Sequence, residues 1–305
     1  MFSDVRQAAW RALGALSGPW MAVDRRAPAL RVLGYHDVSD VERLRSQLGY
    51  LVERFTPIGL DEVIPFLEGE RVVARRPVWV TFDDGDPSVV ELGLPVLEEF
   101  EIRATMFVCP GVLDTTTPFW WQVARAGIEA NVVLDQFPLT PDAISTLKEE
   151  PDATRRRDVE RISELVEDAT GRAPTHHQIS SAQIARWLDG GHTLGNHTWD
   201  HPLLDNCSSR DQHEQVVSAH ERLAEILGRP PTAFAYPNGN TTPESAELLS
   251  DLGYEVGLLF DHRIARPGDP LGMSRLRVNT SDDITSFKAR VSGLHPWIHR
   301  LRRGT

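Results

Sequence analysis

The run Pro77-Val78-Trp79-Val80-Thr81-Phe82 is apolar, rich in β-branched and aromatic residues, and stopped abruptly by Asp83-Asp84-Gly85. A stretch of that length and composition reads as a buried core strand. Two adjacent carboxylates at the tip of such a strand are costly unless a cation, hydrogen bonds or water compensates them. One could hold a metal while its neighbour takes a proton. Asp-Asp-Gly alone also fits an acidic turn facing solvent, so its meaning depends on what the rest of the chain brings to the same place.

Six further runs read as strands, at 30–33, 104–108, 192–196, 233–236, 254–260 and 274–278. Between them, apolar residues recur at helical spacing over 41–55, 60–67, 87–100, 181–188, 209–227 and 284–291, and Thr242-Pro243-Glu244 opens a helix that ends near Gly253. Residues 113–177 read as a helical insertion, clearest at 158–170, where Val159, Ile162, Leu165 and Val166 share a face and Gly171 stops the helix. Seven strands alternating with helices argue for a parallel α/β barrel or a closely related open sheet. The expected organisation is an N-terminal helical extension over 1–27, one domain over 28–293 and a basic tail over 294–305.

The residues with chemical potential follow the C-terminal ends of these strands. His36 comes after the first, Asp83 and Asp84 after the second, His197 and His201 after the fourth, and Asn238 after the fifth. In barrels that rim is where active sites sit. Asp84, His197 and His201 make a two-histidine, one-carboxylate set that leaves a coordination position open for water.

Three motifs, Thr81-Phe82-Asp83-Asp84-Gly85, Asn196-His197-Thr198-Trp199-Asp200-His201-Pro202 and Phe234-Ala235-Tyr236-Pro237-Asn238-Gly239, give the chain a resemblance to the polysaccharide deacetylase family, whose shared region is the NodB homology domain. The resemblance covers about 31–291. It implies a distorted seven-stranded (β/α) barrel that removes an N-acetyl or related acyl group from an amino sugar in a glycan or glycan precursor, using a divalent metal, commonly zinc. It aligns Asp83 with the general base and Asp84, His197 and His201 with the metal ligands. The metal would activate water and polarise the amide carbonyl while Asp83 accepts the proton. A backbone N–H near Asn238 would help hold the oxyanion.

The sequence departs from the family pattern in two places. Ala235 stands where the third motif carries an arginine that orients the base, and Arg277 on the last strand is either a replacement or a surface charge. The C-terminal Leu-x-His acid has no clean match. In a subset resembling biofilm poly-N-acetylglucosamine deacetylases, a histidine after the first strand fills the acid role, which points to His36, with His295 second. Trp120, Trp121 and Trp199 could stack on a sugar or fill a core. His176 and His177 read as solvent-exposed loop residues, and Asp205-Asn206 as turn chemistry. Two other functions share these features: an amidohydrolase acting on a small non-sugar amide, and a glycan-binding barrel without turnover.

Composition narrows the partners. The 305 residues, 41% hydrophobic, suffice for a full core, and a formal net charge of −12 argues against nucleic acid, whose binding needs a basic surface. Two cysteines, Cys109 and Cys207, are too few for a disulfide framework or a cysteine zinc site. Residues 1–16 lack the continuous apolar core of a secretory signal, so the expectation is cytoplasmic. Phe2, Val5, Ala9, Leu13 and Leu16 at helical spacing, with the basic run 299–303, would allow peripheral membrane contact through the termini. Oligomeric state has no signature in the sequence.

Overall fold

Short strands joined through helices can pair in parallel but not through tight hairpins, and the computed structural model, which describes residues 29–68, 76–135 and 137–293, is built this way. Its strands are β1 (Arg31–Tyr35), β2 (Thr56–Pro57), β3 (Pro77–Phe82), β4 (Ala104–Val108), β5 (Val133–Leu134), β6 (Phe137–Pro138), β7 (Thr193–Asn196), β8 (Ala233–Ala235), β9 (Val256–Leu258) and β10 (Leu276–Arg277). The main sheet runs β10-β1-β3-β4-β7-β8-β9, with β2 beside β3. Its pairings are all parallel.

The sheet curls until its ends approach each other. Leu258 of β9 forms a parallel bridge with Met273, and three residues later Leu276 pairs with Leu33 of β1. Met273–Arg277 therefore spans the seam and makes the curled sheet a distorted seven-stranded α/β barrel. This is the stretch expected as the last strand, shortened because its first half pairs with one end of the sheet and its second half with the other.

Side chains alternate across each strand, and all six residues of β3 are buried. Val78, Val80 and Phe82 join Leu33, Tyr35, Met106 and Leu194 under the helices. Trp79 faces inward with Val32, Phe107, Ala235, Val256 and Met273. Gly195 makes room for that interior, since a Cβ there would lie 2.3 Å from the Phe107 ring and 2.9 Å from the Ala233 carbonyl oxygen. Continuing the alternation beyond the strands, Asp83 follows Trp79 and Thr81, His36 follows Val32 and Gly34, and His197 follows Gly195. The chemistry-bearing residues thus occupy the next inward positions at the C-terminal mouth.

The helices fall where periodicity places them, including Val41–Arg54, Leu60–Leu67, Ser209–Leu227, Pro243–Asp251 and Ile284–Val291. The segment after β3 includes a π-helical turn, Val89–Gly93, before the helix Leu94–Glu99. The insertion carries helices Trp120–Glu129, Ala143–Glu149 and Asp152–Thr170 and the β5–β6 hairpin. Trp120, Val123, Ala124, Ile162 and Val166 give it a core of its own. Its long helix begins six residues before the expected 158 because the first turn and a half, Asp152 to Arg157, is polar and invisible to a hydrophobic pattern. Asp152 there bonds Arg155 and Arg156, three and four residues on. The expected N-terminal helix, the basic tail and His295 lie outside the described residues.

Gly195→Ala is expected to destabilise the fold by about 1–3 kcal/mol through overpacking against Phe107, read as a lower urea midpoint with an unchanged slope.

Candidate active site

Asp83 continues the β3 ladder, its N–H donating to the Tyr35 carbonyl at 2.9 Å, so its side chain enters the barrel mouth. Asp84 takes the left-handed conformation, φ 69°, and its carboxylate turns toward the loop after β7. One backbone reversal thereby sends neighbouring carboxylates to different partners.

Asp83 is buried and meets Arg275 in a fork: Nη1 donates to Oδ1 and Nη2 to Oδ2, both at 2.7 Å. Arg275 is fully buried in the seam segment, donates through Nε to the Leu259 carbonyl at 2.8 Å and lies over the Phe260 ring at 4.7 Å. Burial pushes the Asp83 carboxyl up, but the Arg275 guanidinium, with His197, outweighs it and holds the group below the usual carboxylate range. Arg277, the expected stand-in for the third-motif arginine, instead sits at the exposed rim over Phe260 at 5.6 Å. The arginine that bonds Asp83 is Arg275, two residues earlier. Its signal in the sequence was an arginine between Ser274 and apolar Leu276, two residues after Met273, legible only once the seam pairing was known.

The second ligand loop is set by a relay of polar groups. Asn196 donates to the Tyr254 hydroxyl at 2.6 Å and accepts from Thr198 N–H at 2.7 Å. Thr198 Oγ1 accepts from His201 N–H at 3.1 Å. Thr198 and His201 both have positive φ, 70° and 66°, a conformation non-glycine residues rarely adopt and one that clusters at functional sites. The relay brings His197 Nε2 and His201 Nε2 to 3.3 and 3.4 Å from Asp84 Oδ1.

These three ligand atoms lie within 4.8 Å of one another. His197 Nδ1 is 2.6 Å from the Ala235 carbonyl, which places its proton there and leaves a lone pair on Nε2 in the neutral ring. Asp84 Oδ1 is buried with no hydrogen-bond donor. Three electron-rich atoms converge on a space that calls for positive charge, and the two distances to Asp84 Oδ1 are near the ~3.4 Å donor spacing of a tetrahedral ion with ~2.1 Å bonds. Burial raises Asp84, but His201 and His197 hold it well below the carboxylate range. Burial pushes His201 down to about 3, so it remains a neutral ligand at ordinary pH. Burial also works to lower His197, but Asp84 and Asp83 prevail and raise it. The donor set fits a divalent metal.

A cavity of about 340 Å³ opens over the cluster. His36 reaches it from β1, its Nδ1 buried without a partner and its ring edge-on to Phe260 at 5.4 Å. Burial lowers its pKa, while Asp84 and Asp83 pull the other way. Asn238, φ 58°, lies at the rim and accepts from Lys148 Nζ at 3.1 Å. Trp121 stacks on Phe119 at 4.5 Å and meets the His201 ring edge-on at 4.5 Å, forming one wall. Trp120 also borders the cavity but is largely buried in the insertion core. Trp199 packs beside Gly111, where a Cβ would lie 2.5 Å from the indole nitrogen. His176, expected in solvent, is half-buried and lines the cavity, because its N–H is tied to the Thr116 carbonyl at 3.0 Å. His177 is exposed as expected. Asp205 and Asn206 fasten the rim: Asn206 donates to the Lys148 carbonyl at 2.7 Å, and Asp205 accepts from Asn240 at 2.8 Å. Sequence reasoning missed Lys148 as well as Arg275, since an insertion helix gives no sign of which side chain will overhang the site.

The family model for polysaccharide deacetylase matches residues 70–257, and the chain belongs to that family. Peptidoglycan-N-acetylglucosamine deacetylase PgdA of Listeria monocytogenes serotype 1/2a (strain 10403S) is 31% identical over 66 residues, which cover 22% of this chain and 14% of that protein. Peptidoglycan-N-acetylmuramic acid deacetylase PdaC of Bacillus subtilis (strain 168) is 32% identical over 75 residues, covering 25% of this chain and 15% of its own. The chain thus spans about one seventh of the length of these relatives. The fold extends further: IcaB from Ammonifex degensii superposes with a TM-score of 0.60 at 22% identity, covering 88% of this chain and 98% of that one. Streptococcus pyogenes deacetylase PplD in complex with acetate gives a TM-score of 0.59 at 18% identity, covering 84% and 94%.

Arg275→Met leaves Asp83 as an uncompensated buried carboxylate and is expected to cost about 3–5 kcal/mol in chemical denaturation. Adding Asp83→Asn should recover much of that loss, because the orphaned charge is removed along with its partner.

Proposed function

We propose that this chain is a metal-dependent deacetylase that hydrolyses an N-acetyl or related acyl amide on an amino sugar of a glycan or glycan precursor. The observation that carries the reading is the juxtaposition of a converged Asp84, His197, His201 donor set with a second carboxylate, Asp83, held separately by Arg275. A divalent cation, zinc fitting this donor chemistry, would supply Lewis acidity there, polarising the amide carbonyl and making water nucleophilic near neutral pH.

The chain's own residues divide the remaining work. Asp83 accepts the proton of the attacking water: each of its oxygens spends one lone pair on Arg275 and keeps another, and the fork fixes the carboxylate plane. Its lowered pKa keeps it ionised and ready. We assign His36 to the departing amine nitrogen. Burial keeps the imidazole neutral at rest, and negative charge building on the carbonyl oxygen during attack raises its proton affinity. The proton that Asp83 takes from water then passes by way of His36 to the amine nitrogen as the C–N bond breaks, which returns both groups to their starting states. The backbone N–H of Asn238 is the donor assigned to the carbonyl oxygen, since those of Gly239 and Asn240 are spent on the Tyr236 and Pro237 carbonyls, and Trp121 supplies an apolar face against which a sugar ring can lie. The Arg275 fork supports turnover over a non-catalytic glycan-binding role, since the base is oriented although Ala235 occupies the usual arginine position.

The test is acetate release from N-acetylglucosamine oligomers by the metal-loaded protein, with metal content measured in parallel. Asp83→Asn should retain the metal and lose about 10²–10⁴-fold in kcat, and His36→Gln a similar factor with KM little changed. Stoichiometric metal with no acetate from any N-acetylated sugar, or full activity in Asp83→Asn, would sink this reading.

A further inference from the structure

Several arginines on the described surface sit against carboxylates: Arg43 with Asp40, Arg45 with Glu42 and Glu99, Arg103 with Asp61 and Glu62, Arg222 with Glu225. An acidic chain makes such pairing easy, since the formal net charge is −12. At the mouth of the cavity three cations gather without such a partner. Lys148, Arg277 and Arg125 line it, and none of them forms an ion pair with a carboxylate among the described residues. Lys148 donates to the neutral Asn238 amide at 3.1 Å, and Arg277 lies over the Phe260 ring.

The carboxylates in the same lining are mostly committed. Asp83 is held by Arg275, Asp84 faces the two histidines, and Asp86 accepts from the Ser88 N–H at 2.9 Å; Asp37 remains, exposed. Lys148 is half-buried, and burial lowers its pKa, with the charge of Arg277 pressing in the same direction. Two mutually repelling cations are therefore kept near each other beside the reacting centre, with Asp84 pulling only partly the other way on Lys148 and no ion pair to either among the described residues. Lys148 is also placed rather than dangling, because its carbonyl is bonded by Asn206 at 2.7 Å while its ammonium reaches Asn238. A neutral sugar would be served by amides, hydroxyls and the aromatic wall, and would leave these cations uncompensated.

We propose that the substrate carries an anionic group, a carboxylate or a phosphate, which Lys148 and Arg277 bind while the acyl amide faces Asp83 and Asp84. The orientation of the amide rests on the hydrolytic reading of the site; the anion subsite has its own readout. Charge-assisted bonds of this kind add both affinity and a salt dependence that a neutral ligand lacks.

Calorimetric titration of the metal-loaded protein with N-acetylglucosamine, N-acetylglucosamine 6-phosphate and N-acetylmuramic acid provides the test, at low and high ionic strength. At least one charged sugar should bind about tenfold or more tightly than the neutral one, the phosphate and carboxylate arms telling the two anions apart. The advantage should shrink with salt and fall to near unity in the Lys148→Gln/Arg277→Gln double variant. The affinity ratio is the quantity read, because any shift of Asn238 in that variant acts on charged and neutral sugars alike. Equal affinities, no binding of any of the three, or a charge preference that survives in the double variant overturns the proposal. Acetate assayed alongside separates it from the deacetylase reading. Turnover of neutral sugars without charge preference removes the anion subsite alone, whereas charge-dependent binding with no acetate from any sugar removes the hydrolytic reading alone.

Discussion

Asp84, His197 and His201 aim three electron-rich atoms at one buried point, with Asp84 Oδ1 lacking any donor of its own. Such convergence is unfavourable unless positive charge occupies the centre. Protons can serve only part of it, since His201 resists protonation down to about pH 3. A divalent ion satisfies all three at once. A metal bound there would compete with protons for the same lone pairs, which would tie its affinity to pH.

The neighbouring carboxylate remains separate because its counter-charge comes from elsewhere. Arg275 reaches Asp83 from the segment that closes the barrel, almost two hundred positions away in sequence. A buried ion pair of this geometry is weak evidence for added stability, because desolvation offsets much of the attraction. Its value here is positional: the fork fixes the plane of the Asp83 carboxylate apart from Asp84, His197 and His201. Closure of the sheet and orientation of the base are thus one structural event. The insertion adds the roof, where Arg156 bonds Asp200 of the histidine loop through both guanidinium Nη atoms and Lys148 meets the rim at Asn238.

Much of this was legible in the sequence where the information is local. The β3 run and its two aspartates, the His197 and His201 pair, and the seven-strand count all depend on contiguous residues whose period or spacing can be read directly. Arg277 read equally as a stand-in arginine or a surface charge, and it is exposed; finding Arg275 instead requires the register between Leu276 and Leu33 across the seam. The start of the long insertion helix was hidden by a polar first turn and a half held by Asp152 with Arg155 and Arg156. His176 and Lys148 could not be placed at the site, since an insertion's docking depends on tertiary contacts such as Asn206 with the Lys148 carbonyl, which leave no periodic trace.

The most direct measurement is anomalous X-ray scattering from crystals of the protein grown with zinc. One strong peak at bonding distance from Asp84 and from the Nε2 atoms of His197 and His201, with Asp83 still bound to Arg275 outside the coordination sphere, is the result this account predicts. No peak at that point, or an ion that recruits Asp83 in place of Asp84, would contradict it.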